Sequence, residues 1–304
     1  MKKHIFGMTA LWVAAASLML LVSSCSEKEG VYNPKKKIVS VYESSLYHVY
    51  EYPDEDEVFG KSLSEQWVWS GDILQQIKYY WDGTQMSTEK YAYDKDNRVV
   101  SVEASYWDGD LESRMDYEYD GNLLSKCKLY YGGELEREFT FTYNGKTLNS
   151  MKCKVYATDD KSGRKHFMTP LRSLGFDKSI AKPVEQRLKK FCSEAKGTEE
   201  FDIAFEWTGK NVTALRLRGN GTYCDLLYEY DQNVNPKKGL LGNYFEQESY
   251  CSANNVTKYT ETEYGETEVV EYSYEYDGKY PSTKQWTERD EYGYEQYTEY
   301  YVYE

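Results

Sequence analysis

Two aromatic residues separated by a single residue, and followed closely by Asp, Asn or Gly, recur along the chain at a nearly constant step. The second aromatic of the successive copies is Trp69, Tyr93, Tyr119, Tyr143, Trp207, Tyr230 and Tyr276. The first four copies stand 24, 26 and 24 residues apart. A period in the twenties is typical of repeat architectures, whose units cannot bury an apolar face alone. The last gap of 46 residues is twice the preceding gap of 23, which indicates a unit that has lost its signature.

One unit reads as two strands joined by tight turns. In Asp116–Tyr119 the aromatics fall at i and i+2, so both point to one face of a strand. Asp120-Gly121-Asn122 supplies turn chemistry, Leu123–Tyr131 is the return strand, and Gly132-Gly133 turns the chain again. Such short turns leave no room for a crossover, so neighbouring strands must be antiparallel. The sequence predicts an all-β fold of antiparallel up-and-down β-hairpin repeats that form a curled or closed, barrel-like sheet.

Two stretches interrupt the repeat. Residues 157–200 carry Lys, Ser, Pro and Gly in place of alternating tyrosines, and apolar residues after Pro183 fall on one helical face. The pattern predicts a helix near 183–196 that packs over the sheet or fills an open end, with a functional lid as the alternative. The stretch from Asn233 to Val256 reads as a long loop or irregular strand, and long loops on β scaffolds often carry binding function.

The N-terminus has the layout of a secretory signal. Two lysines precede an uncharged apolar run from Ile5 to Val22, and Val22-Ser-Ser-Cys25 ends it. An uncleaved anchor helix is the alternative, because the run is long enough to span a bilayer. The ending favours the signal, since it resembles the lipobox of bacterial lipoproteins. That resemblance implies removal of residues 1–24 and a diacylglyceryl group on Cys25, where several acyl chains give stable anchoring.

Charge and composition bound the partners. The formal net charge is −14, and removal of residues 1–24, which hold two lysines and no acid, takes it to −16. A chain this acidic does not favour nucleic acid or an anionic membrane surface, although it could hold cations or meet a basic partner. The simpler interpretation is that the charge keeps a tyrosine-rich surface in solution. Three histidines without a paired motif predict no zinc site, and Asp54–Glu57 lacks the glycine and ligand spacing of a calcium loop.

The sequence offers no catalytic constellation. It has no Gly-x-Ser-x-Gly elbow and no phosphate loop, and its regularly spaced glutamates are what any solvent-facing strand would show. Once Cys25 is assigned to lipid, five cysteines remain, so at least one thiol is free or intermolecular. Cys127 and Cys153 occupy similar places in adjacent return strands, where they could face each other. We predict no enzyme activity, no cofactor and no metal.

The tyrosines have two interpretations. An apolar ring with a polar tip suits stacking on sugars or packing against peptides. Regular placement at every second residue is instead what a cross-strand aromatic ladder requires, and we favour the ladder for the repeated positions. Aromatics outside the repeat escape that argument and are the better candidates for ligand contacts. These candidates are Tyr244, Phe245, Tyr250 and Trp286.

The unit resembles the YD repeat of bacterial cell-surface and toxin-shell proteins, in which Tyr-x-Tyr-Asp precedes Gly and a Leu-rich return strand. Residues 38–304 resemble a Bacteroidetes lipoprotein family of unknown function with a porin-like β fold. The residues that carry this second resemblance are Val22-Ser-Ser-Cys25, Tyr228-Glu-Tyr-Asp231, Asn235-Pro236, Asn254-Asn255-Val256-Thr257, Tyr274-Glu-Tyr-Asp-Gly278 and Tyr280-Pro281. Glu27 and Glu29 resemble the acidic export signal of surface lipoproteins in Bacteroidetes. These resemblances imply a fold and a compartment, and they carry no catalytic residues.

The sequence therefore predicts a lipoprotein signal peptide at 1–24, a tether at 25–37 and one β-repeat domain at 38–304 that contains the insertion at 157–200. Tyr in strand centres favours a domain outside the lipid, because mid-strand positions that face lipid favour Leu, Val and Phe. The predicted function is a non-catalytic binding or adhesion module for a glycan or protein ligand, held at the cell surface by an outer-membrane lipid anchor. The alternative is a structural or accessory subunit of an outer-membrane complex.

Overall fold

The computed structural model describes residues 28–50, 57–156, 199–219, 222–242, 250–263, 265–289 and 293–304, and these residues form one antiparallel sheet. Seventeen strands build it: β1 Ile38–Val49, β2 Glu57–Ser70, β3 Ile73–Trp81, β4 Thr84–Tyr93, β5 Val99–Tyr106, β6 Leu111–Asp120, β7 Leu123–Tyr131, β8 Glu134–Asn144, β9 Thr147–Val155, β10 Glu199–Thr208, β11 Asn211–Gly219, β12 Thr222–Tyr230, β13 Val256–Glu263, β14 Glu266–Glu271, β15 Ser273–Asp277, β16 Tyr280–Arg289 and β17 Gly293–Tyr303. The all-β, antiparallel fold predicted from the repeat is confirmed.

The sheet curls into a nearly closed barrel. Strands that follow each other in sequence pair with each other, β9 pairs with β10 across the insertion, and β17 pairs with β1. Within this circle, Tyr272 separates β14 from β15. β14 pairs with β13 and β15 pairs with β16, so the two are halves of one strand that changes partner. The predicted helix near 183–196 lies outside the described residues.

Side chains alternate between an apolar interior and a charged outer wall. On β7, Leu124, Cys127 and Leu129 are buried in the interior, whereas Lys126 and Lys128 lie on the outer wall. The outer charges pair across strands, as in the 2.6 Å contact between Lys128 Nζ and Glu118 Oε1. This is the alternation expected of antiparallel strands that cover a core on one side and meet water on the other. In the described part of the chain, no helix has the length and apolar character that a membrane span requires.

Two irregular segments fill one end of the barrel, which we call the plugged end. The first is residues 28–37 and the second is the described part of the β12–β13 connection, residues 231–242 and 250–255. The Tyr32 hydroxyl donates to the Pro236 carbonyl at 2.6 Å, and the Gly30 carbonyl accepts from the Val99 N–H at 2.9 Å. The described part of the predicted tether is therefore packed against the barrel. We call the opposite end, where β9 ends and β10 begins, the far end.

The connection between β12 and β13 also explains the doubled step in the sequence. β12 ends at Tyr230, β13 begins at Val256, and the two strands pair directly. The 46-residue gap thus holds a long loop before β13, β14 and β15, and the described residues between β12 and β13 form no additional strand. The inference that a unit had lost its signature is wrong, whereas the inference of a long loop is correct.

Candidate functional site

In six of the seven signatures, the second aromatic donates a hydrogen bond to the backbone of the preceding hairpin. The Tyr119 hydroxyl donates to the Val99 carbonyl at 2.6 Å, and the Trp207 indole N–H donates to the Leu148 carbonyl at 2.7 Å. Eight aromatics make this bond, and we call them the aromatic collar. They are Trp69, Tyr93, Tyr119, Tyr143, Trp207, Tyr230, Tyr274 and Tyr303.

Strand register makes the collar circular. Tyr119 is paired with Leu124 across its own hairpin, and the Leu124 carbonyl accepts from Tyr143 of the next hairpin at 2.8 Å. The circle closes because Tyr303 is paired with Ile38, whose carbonyl accepts from Trp69 at 2.8 Å. Each bond satisfies a carbonyl near a β-bulge and has a net value of about 1 kcal/mol. The collar therefore joins the end of each hairpin to the next one.

The collar corrects two expectations about the repeat. Tyr274 makes the seventh collar bond, to Val256, whereas Tyr276 donates to Asp231 in the plug. The eighth member, Tyr303, was missed because no Asp-Gly turn follows it. Tyr119 faces Leu124 across its hairpin, so the predicted cross-strand aromatic ladder does not hold at that position. Aromatic contacts run across strands elsewhere, as between Tyr228 and Tyr259, whose ring centroids lie 5.6 Å apart. Others run along single strands, as between Trp67 and Trp69, whose centroids lie 6.4 Å apart.

The plug is held by a network of polar side chains below the collar. The Asn255 amide donates to Asp231 Oδ2 at 3.0 Å, and the Ser252 hydroxyl donates to Tyr230 Oη at 2.9 Å. The Glu29 carboxylate accepts hydrogen bonds from the Leu124 N–H at 2.6 Å and from the Tyr143 hydroxyl of the collar. Glu29, which resembles part of an acidic export signal, is thus also bonded to the barrel. Burial raises the pKa of the Glu29 carboxyl, although both hydrogen bonds act to lower it.

The four predicted ligand contacts fall in different places. Tyr244 and Phe245 lie outside the described residues, as do Cys25 and the signal peptide. Tyr250 is buried in the plugged end, and burial raises the pKa of its phenol. Trp286 is buried in the interior, where it stacks on Tyr297 with ring centroids 5.0 Å apart and planes 11° apart. Their assignment as ligand contacts stays a prediction.

One half of the interior carries carboxylates. Glu65, Glu89 and Glu299 each lie two residues before a buried aromatic and accept a hydrogen bond from it, at 2.9, 3.0 and 2.5 Å. These residues stand on β2, β4 and β17. The equivalent positions on β6, β8, β10 and β12 are apolar: Met115, Phe139, Ile203 and Leu226. The interior is thus part acidic and part apolar, with each of these three carboxylates satisfied by an aromatic donor.

The far end exposes aromatic residues on three successive hairpins. Trp81 and Trp107 are 69% and 70% exposed, and Tyr106 is 43% exposed. The Tyr106 and Tyr131 hydroxyls lie 3.4 Å apart, which joins the second hairpin to the third. We call these four residues the aromatic rim. Partial burial, and then Tyr131 and Glu112 nearby, raise the pKa of the Tyr106 phenol.

Sequence reasoning missed the rim, although a signal for it exists. Trp81 and Trp107 each precede Asp-Gly, and Tyr131 precedes Gly-Gly, at steps close to the repeat period. Positive φ at Asp82 (47°) and at the glycines that follow these aromatics allows the tight reversal. An aromatic at the last position before such a turn has no strand beyond it to cover the ring. The second periodic aromatic therefore marks exposure, whereas the first marks the collar.

The described residues contain neither a disulfide nor a group of side chains placed to bind a metal ion. Among the described residues, Cys127, Cys153, Cys224 and Cys251 are thiols that form no disulfide. Cys127 and Cys153 both face the interior but are each paired with Phe139, which lies on the strand between them. Burial raises the pKa of the Cys127 thiol, which suits an unreactive core residue. Among the residues that the structure describes, no three His, Cys, Asp or Glu side chains are placed to hold a metal ion.

Comparisons with known proteins find likeness in structure alone. No family model matches the chain, and no curated protein matches it. It is similar to a porin-like protein from Bacteroides uniformis, at 10% identity and a TM-score of 0.47, over 91% of this chain and 100% of that one. It is similar to a porin-like protein from Bacteroides vulgatus at 9% identity and a TM-score of 0.25, over 88% and 98% of the two chains. Both TM-scores are below 0.5, and the barrel described above rests on the hydrogen bonding of this chain itself.

Proposed function

We propose that the chain is a lipid-anchored, surface-exposed envelope protein that binds a glycan or protein ligand without catalysis, through the aromatic rim at its far end. The exposure of the rim carries this proposal. Trp81, Tyr106 and Trp107 keep two-fifths or more of their surface in water, while the collar aromatics are bonded into the fold. Tyr and Trp offer large contact areas at low cost in conformational entropy, which is why they dominate many binding surfaces.

The charged side chains of the outer wall favour a barrel that lies in water and is attached to the membrane only through its lipid. Arg216 contacts Asp225 at 2.9 Å and Glu206 at 3.0 Å on the outer wall. A Lys or Arg that faces lipid at the bilayer midplane costs about 2–4 kcal/mol. The outer faces of β7 and β9 carry further cations, Lys126, Lys128 and Lys152. Anchoring through Cys25 requires none of these side chains to enter lipid.

Binding screens with rim variants test the proposal. The chain from Ser26 to Glu304, which retains the plug, would be screened against arrays of microbial and host oligosaccharides and against surface proteins of the same cells. Any ligand found would then be titrated against Trp81→Ala and Trp107→Ala. We expect each variant to weaken binding roughly 10- to 100-fold, because truncating an exposed aromatic anchor removes its contact area. We also expect ligand binding to change the tryptophan fluorescence of the unaltered chain, and this change to be smaller in each variant.

A matched control comes from Tyr223, an aromatic that is 62% exposed on the outer wall of β12. Tyr223→Ala should leave binding unchanged. A ligand whose affinity ignores both rim substitutions would refute the rim as the binding surface. Stoichiometric co-purification of the lipidated chain with an outer-membrane complex, together with silence in both screens, would favour a structural or accessory subunit.

A further inference from the structure

Charged residues are distributed unevenly between the two ends of the barrel. At the plugged end, five lysines in the turns and capping segments carry no ion pair with any described residue: Lys35, Lys95, Lys146, Lys210 and Lys279. Four of them are the turn lysines of separate hairpins. The described turns of the far end hold Asp82, Asp108 and Asp110 and no lysine or arginine. We call the five lysines the lysine face.

The acids of the plugged end do not cancel this charge, because most of them are already paired. Asp72 contacts Lys37 at 2.9 Å, Asp94 contacts Arg98 at 2.8 Å, and Asp277 contacts Lys36 at 2.8 Å. Lys37 also lies 3.8 Å from Glu304, so that group carries one carboxylate more than its lysine. Glu29 and Asp231 are turned into the plug, where they accept hydrogen bonds. Asp120 is the further exposed acid in the described turns of this end, so the five lysines outnumber the uncompensated acids of the described residues, in a chain whose net charge is −14.

The backbone holds two of the lysines in place. The Lys210 carbonyl accepts from the Ala253 N–H at 3.2 Å, and the Lys279 carbonyl accepts from the Val234 N–H at 3.0 Å. Both bonds join a hairpin turn to the plug. The side chains at these turns thus extend from a fixed surface and point away from the barrel, since Lys210 and Lys279 are both exposed.

The chain leaves the barrel at the same end. Lys28 lies against Asp96 of the β4–β5 turn, with Nζ and Oδ1 3.7 Å apart. Only three peptide steps separate Lys28 from Cys25, and that length of chain reaches at most about 11 Å. If Cys25 carries lipid, as the proposed function holds, the plugged end is confined close to the bilayer.

We propose that the lysine face docks on the anionic phosphate headgroups of a lipid bilayer and thereby directs the far end away from the membrane. This inference rests on the proposed function, because the lipid anchor on Cys25 is what brings the plugged end close to the bilayer. The lysines then determine which way the barrel faces. The total charge of the chain does not oppose docking, because screening limits each interaction to about 8 Å at physiological ionic strength. The described far-end turns with Asp82, Asp108 and Asp110 lie a strand length away, beyond that range. Docking of the lysine face would be a local exception to the expectation that an acidic chain avoids anionic membranes.

Vesicle binding by the unlipidated chain from Ser26 to Glu304 tests the docking surface. Sedimentation with vesicles of equal parts phosphatidylglycerol and phosphatidylcholine would be compared with sedimentation with phosphatidylcholine alone, at low and at high salt. We expect binding to the anionic vesicles that is lost at high salt. A chain that binds both vesicle types equally, or neither, overturns the proposal.

Two triple variants of equal net charge locate the surface. The variant Lys95→Glu, Lys146→Glu and Lys210→Glu should weaken binding to anionic vesicles on the order of a hundredfold, since each lysine near such a surface contributes about fivefold. The control replaces the outer-wall lysines Lys78, Lys90 and Lys154 with Glu. Equal losses from both variants would overturn the lysine face. Circular dichroism and melting curves would establish that both variants remain folded.

Separate variants distinguish vesicle binding by the lysine face from ligand binding by the aromatic rim. Trp81→Ala and Trp107→Ala should leave vesicle binding unchanged, and the lysine triple variant should leave binding to a soluble rim ligand unchanged. Metabolic labelling with a fatty acid, in cells that express the full chain or Cys25→Ala, reports the anchor independently. Vesicle binding that required the rim tryptophans would overturn the lysine face as the docking surface.

Discussion

The two ends of the barrel use the same hairpins and the same aromatic residue types for opposite purposes. At the plugged end, Tyr119 donates its hydroxyl to the Val99 carbonyl and packs against the plug. At the far end of the adjacent hairpin strands, Tyr106 remains 43% exposed and has another tyrosine hydroxyl as its neighbour. Regular aromatics in a repeat protein can therefore mark either the joint between units or the surface that units present.

The difference follows from what lies beyond each turn. Residues 28–37, 231–242 and 250–255 cover the plugged end, so a ring there is buried and its polar tip requires a partner. The aromatics that precede the far-end turns have no described segment against their exposed faces. The comparison predicts that substitutions at the plugged end change stability, whereas equivalent substitutions at the far end change binding.

The largest contrast should come from two tryptophans. Trp207→Ala removes a ring packed on the core together with its hydrogen bond to Leu148, and large-to-small core substitutions of this kind cost about 3–5 kcal/mol. Trp107→Ala at the 70% exposed far-end site should change the free energy of unfolding by less than about 0.5 kcal/mol. Urea titrations of both variants measure the contrast. Equal destabilisation would show that the rim is part of the folded core.

Two glycines with positive φ give the next contrast. A Cβ at Gly30 (φ +80°) would lie 2.0 Å from the Tyr119 hydroxyl oxygen, whereas a Cβ at Gly83 (φ +72°) meets nothing within 4 Å. Gly83→Ala should cost about 1 kcal/mol through backbone strain alone. Gly30→Ala should cost at least about 1 kcal/mol more, because the plug must also move away from the collar. Chemical denaturation of the two variants compares them, and similar losses would contradict the close packing of residues 28–37.

Single hydroxyl deletions give a smaller contrast. Tyr119→Phe keeps the ring but leaves the Val99 carbonyl without its collar bond, at a cost of about 0.5–1.5 kcal/mol. Tyr106→Phe removes the 3.4 Å contact to Tyr131 and a hydrogen bond with Glu112 in a partly exposed setting, and should be nearly neutral. Thermal unfolding of both variants against the unaltered chain provides the measurement. A neutral Tyr119→Phe would mean that water can replace the collar bond.

The hairpin period predicted the wall of the barrel because local chemistry decides it. Alternating aromatics and Asp-Gly or Asn-Gly turns specify strand, face and reversal within one unit, and Asp116–Tyr131 has all three. Closure of the circle depends instead on contacts between residues far apart in sequence. The pairing of Ile38 with Tyr303 and the bond from Trp69 back to Ile38 involve both ends of the domain. No short-range pattern carries that information.

The candidate site was less predictable for a related reason. Trp286 was selected because it stands outside the repeat, yet its neighbours across the sheet bury it beside Tyr297. Trp81 and Trp107 recur with the repeat period and were therefore not predicted as ligand contacts. They are exposed because no described segment packs beyond their turns. Burial depends on which segment covers an end, and the positions of residues 28–37, 231–242 and 250–255 in the plug follow no periodic sequence pattern. The charge of the lysine face was hidden in the same way by a net charge of −14.

The smallest expected effect concerns the pH dependence of the plug. Burial raises the pKa of the Glu29 carboxyl in the folded protein above its ordinary value. A carboxyl with a raised folded pKa binds more protons in the folded state than in the unfolded state, so its contribution to stability is fully present at low pH. That contribution is lost as the pH rises from the unfolded pKa through the folded pKa.

Glu29→Gln, which cannot ionise, should therefore lose stability relative to the unaltered chain near pH 4 and recover part of it near pH 7. Melting temperatures of the two chains across this range measure the effect, and a gap that widens as the pH rises would show that Glu29 is stabilised as an anion by the Leu124 N–H and the Tyr143 hydroxyl.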